Sequence, residues 1–303
     1  MPEKKRPPVC DYEGSDYQTR FWEKGGREYE DRVEAIAIKR LLPPDGKLLL
    51  ELGAGAGRNT QRYQGFERVV LLDYSRTQLK QAQERLGRSD RYIFVAADIY
   101  RLPFVSGLFD TATMIRTLHH MADAPAALRR VRDVLQPGGS FILEYANKCN
   151  LKSILRYAFH RQTWNPFTLE PVEFAPLNFD FHPRAVHAWL GENGFKIERT
   201  LAVSYFRTRL LKNVIPTSLL TGVDALIQWT GAFIQLSPSI FLKARASGSG
   251  GSMEGPGDIT GYFKCPECGH SPLLDEGQEL ICSSCNRKWK LSDGIYDFRG
   301  DET

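Results

Sequence analysis

Apolar residues recur along this chain in two alternating rhythms. Residues 31–42 read as a helix, with Val33, Ile36, Ala37 and Leu41 on one face and Pro43-Pro44 stopping it. Strand-like apolar runs follow at 48–51, 69–73, 93–97, 111–115 and 141–144, and helical patterns such as 77–86 and 124–135 fill most of the gaps. Near-continuous apolar strands alternating with helices predict a mostly parallel sheet covered on both faces, a doubly wound α/β fold. Farther on, a helix at 184–192 precedes an apolar stretch at 196–206, residues 239–244 have strand character, and a helical insertion is predicted at 210–236. Residues 247–257 contain five glycines and three serines, the composition of a flexible linker reaching about 18 Å. The predicted organisation is one domain over 1–246, the linker at 247–257, and a second small domain over 258–303.

Composition narrows the class without choosing a function. The 303 residues are 42% hydrophobic and 25% charged, ordinary for a globular protein and against disorder. The N-terminal MPEKKRPP has no apolar segment behind it, and the apolar region at 209–242 is interrupted by Lys212, Asp224 and two prolines. A cytoplasmic protein without a transmembrane segment is expected. Net charge is +4, unevenly divided: five basic and nine acidic residues lie from Asp258 onward, against 35 and 27 before it. The first part is therefore basic and the last part acidic.

Residues 48–60, LLLELGAGAGRNT, place Glu51 at the end of the first strand, followed by Gly53, Gly55 and Gly57. Glycines there permit a tight turn and close backbone approach to a ligand at the strand's carboxyl end. Asp73 follows twenty residues after Gly53, at the end of the next strand, where an acid can hold ribose hydroxyls. A dinucleotide fingerprint would need glycine where Arg58 stands, which disfavours a nicotinamide site.

Over residues 45–145 the chain resembles the class I methyltransferases, particularly the group that includes ubiquinone and menaquinone C-methyltransferases. The resemblance rests on ELGAGAG, LLDYS, AADIYRLPF, DTATMIRTLHHM and LQPGGSFILE. It implies a Rossmann-like fold and S-adenosylmethionine as methyl donor. Gly53 and Gly55, with Ala54 between them, would approach the methionine part, and Glu51 would help place its amino-acid end. Asp73, with Tyr74 beside it, would hold the ribose. Asp98 would receive the adenine amino group, Ile99 would pack on the ring, and the backbone near Arg116 would close the site beside the sulfonium. The plainer reading of Asp98 is a helix N-cap or turn residue.

A sulfonium methyl is already activated, so positioning a nucleophile and excluding water is the main catalytic task. His119 and His120, after the fourth strand, are candidates for a general base, although adjacent histidines in such a place also serve packing. The Asn/Asp-Pro-Pro-aromatic motif used on planar amino groups is absent. Beyond the fifth strand, Tyr157, Phe159, Trp164, Phe167, Phe174, Phe179 and Phe181 are interleaved with Lys148, Lys152, Arg156 and Arg161. Such a stretch could stack on and neutralise RNA, or line an apolar pocket beneath a solvated basic face.

Cys265-x-x-Cys268 and Cys282-x-x-Cys285, thirteen residues apart, have the spacing of two knuckles meeting on tetrahedral zinc. With the closing KWKLSDGIYDF, the segment resembles the small zinc-ribbon activator that partners tRNA, rRNA and release-factor methyltransferases. That resemblance implies a structural zinc and a module that holds a methyltransferase in active form. The acidic ribbon is expected to dock on the basic domain or on a protein partner rather than on phosphates. The expected function is methyl transfer to a small-molecule acceptor. The alternatives are an RNA or translation-protein methyltransferase with a built-in activator, and a non-catalytic cofactor-binding scaffold.

Overall fold

A computed structural model of the protein describes residues 7–11, 13–14, 26–248 and 258–300. The predicted linker therefore lies mostly outside the described residues. The first helix, α1 (Glu28–Leu41), buries Tyr29, Val33, Ala37, Ile38 and Leu41 along one stripe, starts with three acidic residues and ends with Lys39 and Arg40. Those charges complement the helix dipole at both ends. β1 (Gly46–Leu52), β2 (Phe66–Asp73), β3 (Tyr92–Ala96), β4 (Phe109–Met114) and β5 (Leu135–Ala146) pair in parallel in the order β3-β2-β1-β4-β5. Helices α2 (Arg76–Leu86) and α3 (Ala124–Val134) cross between them. Alternate residues of β1 enter different cores: Leu48, Leu50 and Leu52 join one cluster, Leu49 the other. The sheet is covered on both faces, as its apolar strands require.

Between the glycine loop and β2 the chain makes only a 3-10 turn at Thr60–Arg62. Gly53, Gly55 and Gly57 all adopt left-handed backbone, which uses up the start of the crossover. Charges from α1 reach this loop directly: Asp31 pairs with Arg58 and, at 2.7 Å, with Arg62, while Glu34 pairs with Arg58 at 2.9 Å.

After β5 come α4 (Leu151–Ala158), a hairpin of β6 (Val172–Ala175) and β7 (Asn178–Asp180), and α5 (Pro183–Glu192). β8 (Phe195–Val203) and β9 (Ser239–Ala246) close that side of the sheet, β9 antiparallel to both β5 and β8. Between them lies the helical insertion, α6 (Arg209–Val214) and α7 (Thr217–Ile227), anchored by buried Leu220 and Asp224. No helix among the described residues is long and apolar enough to cross a membrane.

The C-terminal segment continues the same sheet. β10 (Leu274–Asp275), β11 (Glu279–Ile281), β12 (Lys288–Ser292) and β13 (Ile295–Asp297) form an antiparallel meander, and β13 pairs in parallel with β3, Asp297 opposite Ala96. Phe263 stacks on Phe104 at 5.8 Å and is wholly buried. Charge complementarity rims this contact: Arg101 pairs with Glu267, Lys80 with Asp293 at 2.9 Å, and Arg76 with Asp297 at 3.4 Å.

Candidate functional site

The carboxyl ends of β1, β2, β3 and β4 open onto one cleft. Its wall begins with the glycine loop. Gly53 has φ +68°, and a Cβ there would stand 2.2 Å from Thr117 Oγ1, so the turn excludes any larger residue. Gly55 donates its N–H to Asp73 Oδ2 at 2.8 Å, and Ser75 donates to Oδ1 at 2.9 Å. Asp73 thus ties the loop to the end of β2. Burial pushes its pKa up to about 6, against the two backbone donors that favour the ionised form.

Ala54, Tyr74, Asp98, Ile99, Arg116 and His120 also line this cleft. Asp98 accepts from the Tyr100 N–H at 2.8 Å and caps the 3-10 turn Ile99–Arg101. Asp98 is thus an N-cap, as the plainer reading has it, and also lines the cleft. Arg116 sits in left-handed backbone, φ +60°, and donates its N–H to Glu144 Oε2 at 2.9 Å. Its guanidinium turns back to Glu34 of α1, Nε donating at 2.8 Å.

Glu51 is placed differently from the other expected cofactor residues. It lies behind the loop, accepting from Thr60 Oγ1 at 2.5 Å and Tyr63 Oη at 3.3 Å, and does not line the cleft. Burial raises its pKa to about 7, with both hydroxyls pulling the other way. Several lining residues carried no clear sequence signal: Val9, Cys10, Gln78, Tyr100, Thr117 and Met121. Of these Tyr100 was nearest to legible, standing beside Ile99 in AADIYRLPF; its hydroxyl accepts from Asp123 N–H at 3.0 Å.

A second cleft of about 410 Å³ adjoins the first and shares Arg116 and His120 with it. His119 lines only the second. The two imidazoles lie 4.0 Å apart, and burial lowers the pKa of both, that of His119 well below its usual value. His120 Nδ1 is 3.0 Å from the Leu177 carbonyl oxygen, so the neutral ring donates there and leaves Nε2 as acceptor.

Residues 50–143 match the family model described as a methyltransferase domain. The chain carries a methyltransferase domain. Among curated proteins, the O-methyltransferase CnsE of Penicillium expansum is 30% identical over 133 residues, 41% of this chain and 48% of its own. The chain thus spans about half the length of that relative. A demethylmenaquinone methyltransferase of Clavibacter sepedonicus is 26% identical over 199 residues, covering 65% of this chain and 78% of its own. Among solved structures, a chain from a complex between the Haloferax volcanii Trm112 methyltransferase activator and a methyltransferase matches with TM-score 0.55. It is 17% identical and covers 77% of this chain and 96% of its own, a likeness of fold. The glycine loop and Asp73 lie within the matched methyltransferase domain, as do Asp98, Arg116 and both histidines.

Outside that domain, the four C-terminal cysteine sulfurs lie within 4.8 Å of one another. Cys265 and Cys285 sulfurs are 3.7 Å apart, Cys268 and Cys282 sulfurs 3.4 Å. A tetrahedron with metal–sulfur bonds of about 2.3 Å has edges near ~3.8 Å, so the donor set fits zinc. Both turns are knuckles: Gly269 N–H donates to the Cys265 carbonyl and Asn286 N–H to that of Cys282, each at 2.8 Å. His270 Nε2 contacts Ser283 Oγ at 2.9 Å, bracing one knuckle against the other.

Proposed function

We propose that the protein is an S-adenosylmethionine-dependent methyltransferase acting on a small-molecule acceptor, with a zinc ribbon (residues 258–303) docked on a catalytic unit (residues 1–246). The observation that carries this reading is the cleft at the strand ends, where a glycine loop, Asp73 and Asp98 meet in chain order and Arg116 and His120 open into a second cleft. S-adenosylmethionine would supply an electrophilic methyl on a sulfonium. The loop N–H groups and Asp73 would hold its polar end and ribose, Ile99 would pack on the adenine beside Asp98, and the Arg116 turn would exclude water where the clefts join. His119 and His120, neutral through burial, would flank the acceptor and could take up a proton only transiently.

A small molecule is favoured over RNA by the two adjoining clefts, while the basic stretch divides, Lys152, Arg156 and Arg161 staying exposed and Lys148 withdrawing. Lys148 is fully buried, its Nζ donating to Thr168 Oγ1 at 3.0 Å and the Glu170 carbonyl at 2.6 Å. It is thus withdrawn from any phosphate-binding surface. The ribbon's zinc would be structural, held by Cys265, Cys268, Cys282 and Cys285, and its role that of a built-in brace.

Titration calorimetry with S-adenosylmethionine and S-adenosylhomocysteine tests the reading. Micromolar binding is expected, weakened at least about tenfold in Asp73→Ala, a loss of roughly 1.4 kcal/mol for one charge-assisted hydrogen bond. Because the ionised carboxylate is the acceptor, affinity should hold above pH 6 and fall as pH drops through about 6. No binding by the folded protein, or equal binding by the variant, would overturn it.

A further inference from the structure

Two ionisable side chains in the second cleft serve neither the first cleft nor the packing of the sheet. Arg207 follows β8 on a turn fixed from behind. Buried Asp224 accepts the N–H of Tyr205 at 2.9 Å and of Ser204 at 3.4 Å. Tyr29 Oη donates to Asp224 at 2.6 Å and accepts the Phe206 N–H at 3.0 Å. The guanidinium so placed lines the cleft with Nε and Nη2 buried and without a hydrogen-bond partner among the described residues. An arginine cannot shed its charge, and a buried donor left unpaired costs about 1–3 kcal/mol. A ligand oxygen would relieve that cost.

Asp180, the last residue of β7, lines the same cleft. It is pinned by its neighbour: Phe181 N–H donates to the Ala146 carbonyl at 2.9 Å, and Lys148 N–H to that of Phe181 at 3.0 Å. Burial raises its pKa to about 6, with Arg207 pulling down and Glu144 pushing up. The other charged or titratable groups facing the cleft are Arg27, Arg116, His119, His120 and Glu144. Glu144 is already engaged by Ser239 and the Arg116 N–H, and Arg116 by Glu34. Arg27 is held by Glu30 at 3.2 Å and burial keeps the two imidazoles neutral, which leaves Arg207 as a fixed cation and Asp180 as a base on one cavity.

We propose that the second cleft takes an acceptor with an acidic hydroxyl, a phenol or an enol, whose oxygen is held by Arg207 and whose proton passes to Asp180. This rests on the methyltransferase reading and names the acceptor class for it. The hydroxyl O–H bond breaks toward the Asp180 carboxylate. An oxygen lone pair forms the new O–CH3 bond as the carbon–sulfur bond breaks, its electron pair staying on sulfur, so that S-adenosylmethionine leaves as S-adenosylhomocysteine. Among hydroxyl acceptors the site calls for the acidity of a phenol or enol, since an alkyl alcohol is too weak an acid for a carboxylate base.

The test uses the full chain saturated with S-adenosylhomocysteine, whose binding is measured first, and two chromogenic probes, 4-nitrophenol and 4-nitro-1-naphthol. The visible phenolate band should show at least one bound probe ionising about one pH unit below its free value, a roughly tenfold gain in acidity. Arg207→Met should abolish the shift and Arg207→Lys retain part of it, the latter guarding against a mere folding defect. With S-adenosylmethionine, Asp180→Asn should slow methylation of 4-cresol, un-ionised near neutral pH, by about a hundredfold or more. It should slow methylation of pre-ionised 4-nitrophenol less than tenfold. Cofactor binding without a shift for either probe, a shift untouched by Arg207→Met, or equal slowing of both phenols in Asp180→Asn would overturn the proposal while leaving the methyltransferase reading intact. Absence of cofactor binding would overturn both.

Discussion

Glu34→Gln probes the charge cluster that aims Arg116 at the junction of the two clefts. Glu34 projects from α1 and is fully buried; Oε1 accepts from Arg116 and Oε2 from Arg58 Nη2 at 2.9 Å. Burial alone would raise its pKa, but the guanidiniums of Arg116 and Arg58 hold it at about 2, against an ordinary 4.5. Each unit corresponds to about 1.4 kcal/mol, so the ionised carboxylate contributes on the order of 3 kcal/mol to folding. That agrees with the ~3–5 kcal/mol expected when one partner of a buried ion pair is removed. The sign follows from the direction of the shift. A pKa depressed by folding gives stability that is complete above the unfolded value and lost as pH falls through the folded one. Urea denaturation of both proteins across the acid range should therefore show the wild type ahead by about 3 kcal/mol at neutral pH, a lead that shrinks below about pH 4.5 and vanishes near pH 2. A gap independent of pH would mean that shape and not charge is lost. A neutral-pH gap under about 1 kcal/mol would refute the pairing energy itself.

Two further perturbations separate the glycine loop from the ribbon. Gly53→Ala forces a Cβ to within 2.2 Å of Thr117 Oγ1 at a φ of +68°, so it should cost at least about 1–3 kcal/mol in thermal or urea unfolding and abolish S-adenosylhomocysteine binding; wild-type stability and affinity would refute the close approach. Cys265→Ser combined with Cys282→Ser should lower bound zinc from about one equivalent to near none by atomic absorption, and weaken the cofactor site through the lost β13–β3 pairing; zinc retained near one equivalent would refute the ligand assignment.

What the sequence made legible was whatever is local. The glycine loop could be read because Gly53, Gly55 and Gly57 need left-handed backbone, and the strands because apolar runs buried on both faces leave no polar alternation. The cysteine knuckles were legible for the same reason, each closing within five residues. Partnerships across the chain were not. Arg207 reads in sequence as one more surface cation, and the turn that buries it is fixed by Asp224 and by Tyr29, which bonds to Asp224 from 195 residues away. The pairing of β13 with β3 is made by backbone groups, which carry no residue code. Its functional consequence is nonetheless direct. Without β13, β3 would be an edge strand, its carboxyl end held by β2 alone. With it, Phe298 N–H donates to the Ala96 carbonyl at 2.7 Å while Ala97 N–H donates to that of Asp73 at 3.1 Å. The two residues before Asp98 are thus tied from both sides. Arg299 then donates to the Tyr74 carbonyl at 3.3 Å with its guanidinium over the Tyr74 ring. Residues 258–300 therefore brace both carboxyl-terminal strand ends, the ones that present Asp73 and Asp98, which is a physical reason for a small cysteine-clustered module to ride on this edge of the sheet.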